Sequence, residues 1–132
     1  MSGRRAAKID ANQPDIVKAL RAHRCDVLSL AAVGDGCPDL LVWSPWTRSL
    51  ELLEVKDGAK PPSARKLTPD QVKFHAKWGG PIHVVTSVDE ALRAVGVPDA
   101  VTAEAKAETG RYYAGFSAKR CAERLDRSSE ND

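Results

Sequence analysis

The sequence predicts an α/β fold with the element order αβββαβα. Two observations predict it. Short runs rich in Val, Leu and Ile recur at 26–33, 40–43, 50–56 and 82–86, each of strand length. Helix-start signals stand ahead of one-sided apolar segments at Pro14, Thr68 and Ser87. The length of 132 residues, with 42% hydrophobic and 29% charged side chains, suits a domain with one core.

Each element has a local reason. Pro14 fits the first helical turn, where a missing N–H costs nothing, and Asp15 meets the positive helix end. Ile16, Val17 and Leu20 give that helix an apolar face through about Arg24. Asp26 to Val33 reads as a first strand, closed by a Gly34-Asp35-Gly36 turn. Pro38 opens a second strand over Leu40 to Trp43, since proline cannot join a ladder interior. A turn at Ser44 to Thr47 leads into a third strand over Leu50 to Lys56, so strands two and three form a hairpin. Asp57 to Lys66 is a loop. Thr68-Pro69-Asp70-Gln71 opens a second helix to about Trp78, ended by Gly79-Gly80. Ile82 to Thr86 reads as a buried strand, and Ser87 caps a short helix carrying Val88, Ala91, Leu92 and Val95.

Composition changes at the two ends. Residues 1–11 read as a flexible basic arm with Arg4, Arg5 and Lys8, and the main domain spans 12–97. Residues 98–132 form a tail poor in large apolar residues, with helical potential over Ala100 to Thr109 and Ser117 to Leu125 and a disordered end. The net charge of +2 does not by itself argue for nucleic acid. Cys25, Cys37 and Cys121 have neither CxxC nor zinc spacing and read as free thiols. No apolar stretch follows the basic N-terminus and no run has membrane-spanning length, so a cytoplasmic protein without a membrane partner is expected.

The informative segments are Pro38-Asp39-Leu40 and Leu53-Glu54-Val55-Lys56. Side chains alternate along a strand, so Glu54 and Lys56 share one face while Leu53 and Val55 point into apolar packing. Pairing of strands two and three brings Asp39 towards Glu54. Two carboxylates can hold Mg²⁺ or Mn²⁺, which polarises a phosphate and lowers the pKa of a bound water. A neighbouring lysine stabilises transition-state charge, and the Val55 carbonyl is a candidate further metal ligand. Against this stand plainer roles: a solvated ion pair for Glu54 and Lys56, and a turn residue at Asp39.

GDGCPDLLV followed by LLEVKDG resembles the PD-(D/E)XK nucleases, and more closely their VRR-NUC branch, especially small stand-alone members from phages and prophages. The similarity extends through DANQPDIVKALR, LTPDQVKFH and PIHVVTSVDEAL, nearly all of 10–95. The resemblance implies a restriction-endonuclease-like core, a small mixed sheet flanked by helices. It implies that Asp39 and Glu54 bind metal, that Lys56 is the catalytic lysine, and that Gln71 is the glutamine following the ExK strand. Gln71 also fits a capping box, and the two roles can coexist. Related junction-resolving enzymes carry a glutamate in the first helix, where this chain has Gln13, with Asp10 and Asn12 nearby.

The expected activity is a Mg²⁺-dependent (or Mn²⁺-dependent) DNA endonuclease, with branched or four-way junction DNA as candidate substrates. The alternative is a non-catalytic DNA-binding or phage protein-interaction module on the same fold. Lys60, Arg65 and Lys66 on the loop are candidate phosphate contacts. His75 lies four residues after Gln71, on the same helix face, and is a candidate DNA contact or a plain surface histidine. A homodimer is expected from the small core and modest charge, with Trp43, Trp46 and Trp78 read as core or interface residues and as the candidates for its contact.

Overall fold

The computed structural model describes residues 9–109. The chain runs α1 (Gln13–Ala22), β1 (Asp26–Ser29), β2 (Leu40–Ser44), β3 (Ser49–Val55), a 3-10 turn at Pro62–Arg65, α2 (Pro69–Lys77), β4 (Ile82–Val85), α3 (Val88–Ala94) and α4 (Asp99–Thr109). The basic arm through Lys8 and the expected helix at 117–125 lie outside the described residues.

The four strands form one mixed sheet in the order β1-β2-β3-β4. β1–β2 and β2–β3 are antiparallel, and β3–β4 is parallel. A parallel neighbour needs a crossover connection, and the segment containing α2 supplies it. Val42, Leu53, Val55 and Val85 on one sheet face close the core with Ile16, Ala19 and Leu20 of α1 and Ala91 and Leu92 of α3. α4 adds Val101 to this cluster and buries Ala105, so the first helix beyond Pro98 packs on the same core. The result is an α/β fold with a small mixed sheet flanked by helices. Among the described residues, no helix is long and apolar enough to cross a membrane.

Several boundaries depart from expectation. β1 stops at Ser29 rather than Val33, because the chain turns: the Val33 N–H donates to the Leu30 carbonyl at 3.0 Å and the Ala31 N–H to Ser29 Oγ at 3.3 Å. α1 ends at Ala22, two residues early, and Arg24 takes a left-handed conformation with φ of 67°. α2 ends at Lys77 on an extended Trp78, whose ring stacks on Phe74, instead of on a left-handed glycine. The sequence predicts a buried β4, yet only Val85 is buried; the strand pairs with β3 alone and leaves Val84 exposed on its outer face.

The sheet face opposite the core stays apolar and partly open, with Leu28, Trp43, Leu50 and Val84 exposed. Trp78 is also exposed. Trp46 differs: it packs against the core, and its indole Nε1 donates to the His23 carbonyl at 2.8 Å.

Candidate active site

The register of the hairpin assembles the site. Leu40 pairs with Leu53, so Asp39, just before Leu40, comes alongside Glu54, just after Leu53. Alternation holds: Leu53 and Val55 fill the core, while Glu54 and Lys56 project from the other face and are buried by different neighbours. Asp39 Oδ2 accepts the Val55 N–H at 2.7 Å, which ties the carboxylate to the end of β3. That bond also sets the Val55 backbone against the acidic pair.

Gln71 joins the acid to the base. Its Nε2 donates to Glu54 Oε2 at 3.1 Å, and its Oε1 accepts from Lys56 Nζ at 2.7 Å. The same Oε1 accepts the Thr68 N–H at 2.9 Å, while Thr68 Oγ1 accepts the Gln71 N–H at 3.3 Å. The capping box therefore exists, and its side chain also spans the site. The partners fix the amide orientation, because only the oxygen can face the lysine and only the NH₂ can face a carboxylate.

A backbone contact sets the depth of α2. Gly36 has φ of +79°, and a Cβ built there would collide with the Asp70 carbonyl oxygen and lie 2.8 Å from the Gln71 nitrogen. The turn before Pro38-Asp39 is thus pressed against the first turn of α2. The sequence marked this glycine as a turn residue; its contact with α2 is long-range and left no local signal.

α1 closes the other side. Asn12 Nδ2 donates to the Lys56 carbonyl at 3.0 Å and the Thr86 carbonyl at 3.2 Å, joining the ends of β3 and β4. Gln13 is buried, and its Oε1 has no hydrogen-bond partner. Asp10 pairs with Lys60 at 3.5 Å, so this candidate phosphate contact already faces a carboxylate. Lys66 is exposed, whereas Arg65 sits half-buried in the 3-10 turn. His75 is neither a free surface side chain nor directed wholly outward. Its side chain is 18% exposed and its Nε2 lies 3.6 Å from Glu54 Oε1.

Electrostatics follow from burial. Glu54 has no exposed surface and its carboxyl is pushed up to about 9. Loss of hydration is the largest cause. Asp39 then raises it through hydrogen bonding and charge, Lys56 opposes the rise, and Asp10 adds to it. Burial pushes the Cys37 thiol up, aided by the charges of Glu54 and Asp39. Burial, then the Lys56 charge, holds His75 below the usual imidazole range.

Two adjacent carboxyl groups suit a hard divalent cation, which would relieve their mutual repulsion once both are ionised. Glu54 Oε1 is a buried acceptor without a hydrogen-bond partner, so the donor chemistry fits such an ion. Among the described residues, no group of three or more His, Cys, Asp or Glu side chains stands in metal-holding geometry. Comparison with protein-family models, curated proteins and solved structures finds no match to this chain.

Proposed function

We propose that this chain is a metal-dependent DNA endonuclease with a restriction-endonuclease-like core. The observation that carries the reading is the Glu54–Gln71–Lys56 bridge with Asp39 alongside, because it places two acids and a base at one protected point. Asp39 and Glu54 would hold Mg²⁺ or Mn²⁺, with the Val55 carbonyl as a further ligand. When bound, the ion would polarise the scissile phosphate and supply an activated water.

The side chains have distinct tasks in this proposal. Glu54 must lose its proton before it can act as a ligand. Gln71 holds the Lys56 ammonium at 2.7 Å and so limits its motion. Lys56 then donates hydrogen bonds to the attacking water or to a phosphate oxygen as charge develops. Lys66 and Arg65 are proposed phosphate contacts beside this centre, with Lys60 joining them if it leaves Asp10.

Branched or four-way junction DNA is the proposed substrate class, and a homodimer the proposed working unit. Its contact would use the open sheet face carrying Leu28, Trp43, Leu50 and Val84 together with Trp78. Trp46 is removed from that role by its bond to His23. Sedimentation of the full chain, free and with junction DNA, tests the dimer; a monomer in both states that still cuts contradicts it.

The reading itself is tested by incubating the protein with DNA and Mg²⁺ or Mn²⁺. Wild type should nick or linearise the DNA, EDTA should stop it, and Glu54→Gln should be inactive while still binding DNA.

A further inference from the structure

The contact between His75 and Glu54 is assigned no role by the bridge described above. Gln71 and His75 are four residues apart, so both reach the sheet from one face of α2. Gln71 occupies one oxygen of Glu54, Oε2. His75 Nε2 faces the other, Oε1, across 3.6 Å. Both Nε2 and Oε1 are buried, and neither has a hydrogen-bond partner within ordinary range. Two such groups facing one another close to hydrogen-bond distance on a small movement of either side chain, which satisfies both at once.

We infer that His75 is a positioning residue for Glu54, donating through Nε2 to Oε1 so that α2 grips both oxygens of the carboxylate. The inference rests on reading Glu54 as a metal ligand. A carboxylate oxygen has two lone pairs and can accept from His75 while it also binds a cation. A neutral imidazole suits the task. A lysine or arginine there would compete with the cation for the negative charge, whereas a neutral donor orients the oxygen without cancelling it. A leucine of similar bulk would leave Oε1 dry and unpaired. The contact also explains why this histidine is largely buried on a helix that buries no residue fully. His23, the buried histidine that follows α1, serves a different purpose: its Nδ1 lies 2.8 Å from the Ala19 carbonyl within the core.

Hydrogen-bonding partners of metal ligands typically change metal affinity about 10- to 100-fold when removed. Mn²⁺ titrations on the full chain, read by the EPR signal of free Mn²⁺, should show that loss for His75→Ala. DNA affinity measured without divalent cation should stay within about twofold, and His75→Gln, which keeps an N–H donor, should recover most of the Mn²⁺ affinity. Unchanged Mn²⁺ affinity in His75→Ala, or a loss confined to DNA binding, overturns the inference. Nitrogen-15 NMR of the His75 ring supplies a readout independent of metal: at a pH above about 9, where Glu54 has lost its proton, the neutral tautomer with hydrogen on Nε2 is expected, and the Nδ1–H tautomer there would overturn it. Mn²⁺ binding by Glu54→Gln equal to wild type would instead bring down the metal-ligand reading, leaving the NMR result to decide the His75–Glu54 contact.

Discussion

Replacing Glu54 with Gln should remove a specific pH dependence from the stability of the metal-free protein. Glu54 is fully buried, and its carboxyl is pushed up to about 9 from an ordinary 4.5. Between those values the folded chain keeps a proton that the unfolded chain has lost. Stability from this group is therefore complete below about 4.5, falls as pH rises, and is gone above about 9. One proton corresponds to a slope of at most about 1.4 kcal/mol per pH unit. Water entry and relaxation reduce such penalties, so roughly 1–3 kcal/mol should be lost between about pH 6 and 8. Glu54→Gln retains the shape and the acceptor for Gln71 but cannot ionise. Urea denaturation in EDTA, measured across that range for both proteins, should give curves that diverge, with the wild type losing more. Saturating Mn²⁺ should flatten the wild-type curve, because binding favours the ionised carboxylate. Parallel curves in EDTA would show that Glu54 ionises freely in the fold and would refute the electrostatic argument.

Lys56→Ala should lower the cleavage rate at least about 100-fold, the scale of losing one transition-state donor, with Mn²⁺ affinity changed little; calorimetry beside single-turnover cleavage checks this. Gln71→Ala removes a cap and the acid–base bridge together, so it should cost about 0.5–2 kcal/mol of stability and also reduce the rate. A stability loss alone, with full rate, would reduce Gln71 to a cap. Gly36→Ala should destabilise by more than about 1 kcal/mol, since the new methyl group meets backbone at the start of α2 and the position has positive φ; a melting temperature equal to wild type would contradict that docking.

The parts of the site legible in the sequence were those fixed by short-range rules. Strand alternation placed Glu54 and Lys56 on one face, and the short turn between β2 and β3 brought Asp39 to Glu54. Thr68-Pro69-Asp70-Gln71 announced both a helix start and its capping box. What stayed hidden depended on contacts between distant segments. Helix spacing put His75 on the face of Gln71, but only the packing of α2 against the sheet shows that this face meets Glu54 rather than solvent. β-propensity extends the apolar run after Asp26 through Val33, yet turn hydrogen bonds beyond Ser29 outweigh it. Trp46 resembled Trp43 as an aromatic near a turn; the His23 carbonyl, 23 residues away, makes it part of the core boundary. α4 lacks large apolar residues, but Val101 and Ala105 suffice to dock it.

The most direct measurement of the central claim is cleavage of supercoiled plasmid and of a synthetic four-way junction by wild type, Glu54→Gln and Lys56→Ala purified in parallel. Wild type should cut in Mg²⁺ or Mn²⁺ and not in EDTA, folded Glu54→Gln should not cut, and folded Lys56→Ala should cut at least about 100-fold more slowly. Cutting at equal rates by all three proteins, or no cutting of any DNA by a wild type that binds Mn²⁺, would contradict it.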